Sequence, residues 1–123
     1  MKHQQIKIAG KPVEVCYCYA TEIAFKQLSE QDINDFIPEV ADAITAERMP
    51  DVRKSIFLIL AAISAFYQSH DEDMPVQDSD LMNECTPAEL GTAIGTVLGL
   101  RNQFYALPAG EPTEKKGKGK KKN

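Results

Sequence analysis

The sequence has little with which to cross a membrane or to carry out a reaction. Its longest dense apolar run, Ile56 to Tyr67, covers 12 residues, short of the roughly 20 that a bilayer-spanning helix needs. The opening Met1-Lys2-His3-Gln4-Gln5 leads into an alternating segment and not into the continuous apolar stretch of a secretory leader, so a cytoplasmic protein is expected. Three cysteines are too few, and odd in number, for a disulfide framework, which fits free thiols in a reducing compartment. There are two histidines, neither beside a convincing nucleophile. A Gly-rich phosphate loop, a His-Glu-x-x-His helix and a Gly-x-Ser-x-Gly elbow are all missing.

Cys16 and Cys18 would share one face of a strand, because alternate strand residues project to the same side. A closed zinc site needs about four ligands. The other soft candidates, Cys85, His3 and His70, are scattered without paired spacing, so buried or half-buried thiols are expected, with no metal and no cofactor. The acidic stretch Ser69 to Ser79 lacks the alternating ligands, central Gly and closing Glu of a calcium loop, and reads as solvated charge. No enzymatic activity is expected.

Basic residues are also scarce, except at one end. Up to position 110 there are eight against sixteen acidic residues, a net −8, whereas six lysines from Lys115 to Lys122 give the segment from Glu111 a net +4. An acidic body repels phosphate backbones, which disfavours specific nucleic-acid recognition by the folded part. The expected organisation is a single domain over 1–110 and a disordered Lys-rich tail over 111–123, where no apolar residue is available to bury.

What is present is periodicity. From Gln5 to Tyr17 apolar and polar residues alternate, which predicts a β-hairpin. With Gly10-Lys11 at the centre of a type II′ turn, Ile8 would face Val13, Ile6 would face Val15 and Lys7 would face Glu14. A short helix follows over about Ala20 to Leu28, with Ile23, Ala24, Phe25 and Leu28 on its apolar side. Ser29 is expected to cap a helix through Ile33, Phe36 and Ile37, and Pro38 to start a fresh one through Val40, Ala43 and Ile44. Asp51 to Gln68 is the strongest signal, with Val52, Ile56, Ile59, Leu60, Ile63, Phe66 and Tyr67 at three- and four-residue steps. A turn of helix near Asp80 to Asn83 precedes Thr86-Pro87-Ala88-Glu89, a capping box with Pro at the first helical position. That last helix runs to Tyr105 and stops before Pro108 and Gly110. The fold class predicted is α+β, mainly α, with the N-terminal hairpin packed on a bundle of about four to five helices.

Gly91, Gly95 and Gly99 are spaced by four on the last helix and form a stripe without side chains, at a cost of roughly 0.8 to 1.0 kcal/mol each relative to Ala. Something must offset that cost: close packing within the chain is the expected reason, and a partner helix is the alternative. Phe104, Tyr105 and Leu107 near the helix end are the further candidates for contact, against plain core packing.

A hairpin written "IKIAGKPVEVCYCYATEIAFKQL", an acidic helical middle, a long apolar helix and a capped final helix opening "TPAELGTAIG" together resemble the tail assembly chaperones of tailed bacteriophages over roughly residues 5–107. The resemblance implies a small helical, acidic, non-catalytic protein in the cytoplasm of a bacterial host. It would bind tape measure protein during tail assembly, possess a homo-oligomeric option, and reach tail tube protein through a longer frameshifted product. Lys120-Lys121-Lys122-Asn123 and Glu114-Lys115-Lys116 are compatible with an A-rich slip site for such a frameshift. The competing reading is a small accessory protein whose basic tail contacts nucleic acid nonspecifically, a contact that salt would weaken steeply.

Overall fold

The computed structural model describes residues 2–106. Two strands, β1 (His3–Ile8) and β2 (Lys11–Cys16), form an antiparallel hairpin, followed by five helices: α1 (Tyr19–Ser29), α2 (Ile33–Thr45), α3 (Val52–Ser69), α4 (Asp78–Glu84) and α5 (Pro87–Ala106). This is the mainly helical α+β class that the periodicities predict. The expected tail over 111–123, the stop at Pro108 and Gly110, and Leu107 lie outside the described residues.

The hairpin buries the expected face, Ile6, Ile8, Val13 and Val15, in a different register. Ile6 pairs with Val13, Lys7 with Pro12 and Ile8 with Lys11, so the central turn residues are Ala9 and Gly10. Both have positive φ, 51° and 78°, the backbone a type I′ turn demands. Moving the turn by one residue moves each cross-strand partner by two, so every side chain keeps its face. Glu14 therefore faces Gln5 and not Lys7, and its carboxylate accepts from Gln5 Nε2 at 3.2 Å and contacts His3 Nδ1 at 2.8 Å.

The turn is set by a residue from the far end of the chain. Glu89, in the first turn of α5, accepts from the backbone N–H of Ala9 at 3.2 Å and of Gly10 at 3.1 Å. The same carboxylate accepts from Thr86 N at 3.1 Å, while Thr86 Oγ1 accepts from Glu89 N at 3.1 Å, closing the capping box read from the sequence. These hydrogen bonds, Thr86 and Gly10 foremost, hold the Glu89 carboxyl below its ordinary value of 4.5. A carboxyl with a lowered folded-state pKa stabilises the fold above its unfolded pKa and loses that contribution as pH falls through the folded one. A Cβ added at Gly10 would meet nothing within 4 Å, so Gly10→Ala tests backbone strain without a clash. The expected result is a loss of about 1 to 2 kcal/mol in denaturant unfolding; an unchanged midpoint would count against the left-handed turn.

Helix starts follow the caps closely. Asp51 accepts from Lys54 N at 2.9 Å ahead of α3, and Asp32 accepts from Asn34 N at 2.8 Å ahead of α2. Asp32 and not Ser29 is the cap, and α2 is one helix running through Pro38, contrary to the expected break. Pro38 sits on the exposed side, and the buried Ile33, Phe36, Val40 and Ala43 on either side of it hold the helix to the core. Helix α3 is buried nearly all round, packs against β2, α1, α4 and α5, and supplies the centre of the core with Leu58, Ile59 and Ile63. Phe25 of α1 stacks on Phe36 of α2 at 5.4 Å to tie the acidic middle to that core. The hairpin lies on two helices, β1 along α5 and β2 along α3, where Tyr67 Oη accepts from Glu14 N at 3.2 Å.

Candidate functional surface

The N-terminal half of α1 and the last turns of α5 meet around one carboxylate. Helix α1 begins where it does because Thr21 is buried and bonded twice: its Oγ1 accepts from Cys18 N at 3.1 Å and donates to Cys16 O at 3.2 Å. That start places Glu22 between two phenols. Tyr17 Oη donates to Glu22 Oε2 at 2.7 Å, and Tyr105 Oη donates to the same oxygen. Arg101, one turn before Tyr105, lies over the Tyr105 ring at 5.1 Å and donates from Nη2 to Asn34 Oδ1 at 3.1 Å. Phe104 packs edge-on against Tyr19 at 5.1 Å and tilted against Tyr17 at 5.8 Å.

Burial and the hydrogen bond to Glu22 push the Tyr17 phenol far up, and the hydrogen bond to Glu22, then burial, push Tyr105 up to about 12. A raised phenol pKa means stability that is complete below the unfolded value near 10 and lost as pH climbs through the folded one. In an ultraviolet titration Tyr105 is expected to ionise near pH 12. Glu22→Gln should bring it back toward 10; a profile unchanged by that substitution would remove Glu22 as the cause.

On the outer side of this cluster the surface is apolar and open. Tyr19 is 65% exposed, Ile23 59% and Tyr105 49%. A groove of about 530 Å³ runs between α1 and the start of α2, lined by Tyr19, Glu22, Ile23, Lys26, Asp32 and Asn34 among others. The sequence places Ile23 and Leu28 on the core side of α1, but only Thr21 and Phe25 are buried there. Periodicity in so short a helix is compatible with either side facing in, and α1 packs on α3 through Phe25. Ile44 and Val52, likewise read as core, are exposed, as are Met49 and Met82. Val52, Met49 and Met82 line a second groove, of about 320 Å³, with Ile56, Leu81 and Leu90.

Tyr105 and the glycine stripe belong to the same helix, α5. Gly91 and Gly95 are exposed and Gly99 is half-buried, and among the described residues no atom lies within 4 Å of the Cβ that any of the three would carry. Close packing against the described residues, the expected reason for the glycines, is therefore not what they provide. The buried side of α5 is Leu90, Ala93, Ile94, Val97 and Leu100. The opposite side carries Gly91, Thr92, Gly95, Thr96, Gly99, Asn102 and Gln103, with no charge. Of the sequence-predicted contact residues, Phe104 is partly buried against the core, Tyr105 is exposed, and Leu107 is not described. Tyr19 and Ile23 were not legible as surface residues, since nothing in their spacing separates them from Phe25.

The thiols and imidazoles lie elsewhere. Cys16 is fully buried, and burial followed by the adjacent Cys18 thiol pushes it up to about 12, so it stays protonated and is neither nucleophile nor ready ligand at neutral pH. The two histidines, remote in sequence, both contact Phe66, His70 stacked at 4.1 Å and His3 tilted at 5.0 Å. Among the described residues no three His, Cys, Asp or Glu side chains are grouped to hold a metal ion, and no helix is long and apolar enough to cross a membrane. Comparison with known proteins finds no matching family model, no similar curated protein and no similar solved structure.

Proposed function

We propose that this protein is a non-enzymatic assembly chaperone that reversibly covers an apolar helical stripe of a client polypeptide. By the resemblance of its sequence to the tail assembly chaperones of tailed phages, the client is tape measure protein. The observation that carries this reading is the outward side of α5, which carries no charge and three glycines left open by the described residues, on a helix whose last turn exposes Tyr105. Glycines on an exposed helix weaken it. A side-chain-free stripe becomes favourable when another helix backbone approaches closely along it, and aromatic side chains at its end supply contact area with few rotamers to freeze. The role in the bacterial cytoplasm, a homo-oligomer around the client and a second contact to tail tube protein belong to the same proposal.

The test separates folding from binding. A Cβ added at Gly95 would meet nothing within 4 Å among the described residues, so the Gly95→Leu variant should unfold at or above the wild-type temperature. On co-expression with the tape measure polypeptide of the same phage, it should lose affinity by about 1 to 3 kcal/mol, roughly fivefold to 150-fold, and leave the client insoluble. Binding by the wild type should persist at high salt, because apolar burial is not screened. A Gly95→Leu chain that folds and still keeps the client soluble would overturn the assignment of this face.

A further inference from the structure

We propose that His3 and His70 together bind one divalent cation of the late first transition row, Zn²⁺ in type, in the pocket that they share with Phe66 and Ser69. The hairpin and the long helix bring the two imidazoles together. His3 opens β1, where it pairs with Cys16 of β2, and Cys16 packs on Ala65 and Phe66 of α3. His70 is the C-cap of α3, one turn beyond Phe66. Both rings are thereby gathered around one spacer, His70 stacked on Phe66 at 4.1 Å and His3 tilted against it at 5.0 Å. With Ser69 these side chains line a pocket of about 310 Å³, room for an ion and several waters at about 30 Å³ each. Both imidazoles are exposed, so the pocket is reached from solvent.

Hydrogen bonding decides which nitrogen of each ring is left to act. His3 Nδ1 lies 2.8 Å from Glu14 Oε1, and His70 Nδ1 lies 2.9 Å from the Phe66 carbonyl oxygen. A carboxylate and a carbonyl only accept, so Nδ1 carries the proton in both rings and Nε2 of the neutral imidazole carries the lone pair. Ser69 Oγ donates to the same carbonyl at 2.7 Å and lies 3.0 Å from His70 Nδ1, where its own lone pair supports that tautomer. Among the described residues neither Nε2 has a hydrogen-bond partner. A metal-ligating histidine donates its other N–H to a carboxylate or a backbone carbonyl, which fixes the ring and raises the basicity of the ligating nitrogen. His3 has the first kind of support and His70 the second. Imidazole nitrogen selects Zn²⁺, Cu²⁺ or Ni²⁺ over Mg²⁺ and Ca²⁺, which prefer oxygen. With two protein nitrogens, and water in the remaining positions, the site is open, unlike a closed structural centre of four ligands. Bound metal would tie the start of β1 to the end of α3 across much of the first half of the chain, and a clip gains most where it closes a long loop. No residue of α5 takes part, so the inference stands or fails separately from the client reading.

The experiment titrates zinc chloride into the full chain, reduced and stripped of metal, at neutral pH, with calorimetry and thermal unfolding as readouts. The wild type should bind one Zn²⁺ per chain, and its unfolding midpoint should climb with zinc concentration, as it does for a ligand held by the folded state alone. His3→Gln and His70→Gln should each abolish that climb and weaken binding by at least about tenfold. Magnesium chloride should produce neither heat nor a shift. Should a variant fail to fold, the wild type alone still decides: in imidazole 1H–15N correlation spectra both Nε2 resonances should move with zinc while both Nδ1 stay protonated. Absence of binding, or movement of one imidazole only, would overturn the proposal. So would zinc taken up undiminished by either histidine variant, the mark of ligation by the Cys18 or Cys85 thiols instead.

Discussion

Ile59→Asp is expected to leave the chain without a cooperative thermal transition and with the collapsed amide dispersion of an unfolded protein. Ile59 is completely buried in α3, the helix that packs on β2, α1, α4 and α5. The substitution removes about 1.5 to 3 kcal/mol of side-chain burial and adds an unpaired carboxylate in a site with no cation. Removing a partner from a buried charge already costs about 3 to 5 kcal/mol, and this charge never had one. Total stabilities of small domains run to about 5 to 15 kcal/mol, so a sum of about 4.5 to 8 kcal/mol removes the margin of a domain in the lower part of that range. Ile59→Val, at about 0.5 to 1.5 kcal/mol, should remain folded and serves as the control. Circular dichroism on heating separates the two, and a sharp transition in Ile59→Asp would mean that α3 is not the centre of the core.

The second large effect has the opposite sign. Replacing Gly91, Gly95 and Gly99 together by Ala is expected to stabilise the isolated protein by about 2 to 3 kcal/mol, from roughly 0.8 to 1.0 kcal/mol of helix propensity at each position. The midpoint of thermal unfolding should rise on the order of 10 °C. The physical ground is that none of the three added methyl groups would meet an atom within 4 Å among the described residues. A gain in stability accompanied by weaker client binding is the pattern expected when a face is kept suboptimal for folding because function uses it. A fall in stability would instead reveal close packing on that face within the chain itself.

How far the sequence could be read follows from the range of the interactions involved. The helix start at Thr86-Pro87-Ala88-Glu89 was legible because a cap is an affair of three or four residues, and it stands where the pattern puts it. The apolar length of α3 was legible because nearly every side of it is buried, so no choice of face had to be made. Pro38 misled, because the cost of proline in a helix interior is local, whereas the burial of Ile33 and Phe36 before it and Val40 and Ala43 after it, which carries α2 through, is tertiary. The face of α1 misled in the same way. Ile23 and Phe25 are equally apolar, and only the direction from which α3 approaches decides that one is sealed and the other left in solvent.

By itself, then, the sequence determined the element types, the inward face of the hairpin and the α+β class, because alternation and helical spacing are properties of neighbouring residues. Tertiary structure alone decided the hairpin register, which Glu89 fixes from some eighty residues away by holding the N–H groups of Ala9 and Gly10. It alone brought Tyr17 and Tyr105 onto one oxygen of Glu22, and it alone left the α5 glycines uncovered by the other described residues. Each of these depends on which surfaces remain free once the core around α3 has closed, and that is set by the packing of the whole chain and by no local stretch of it.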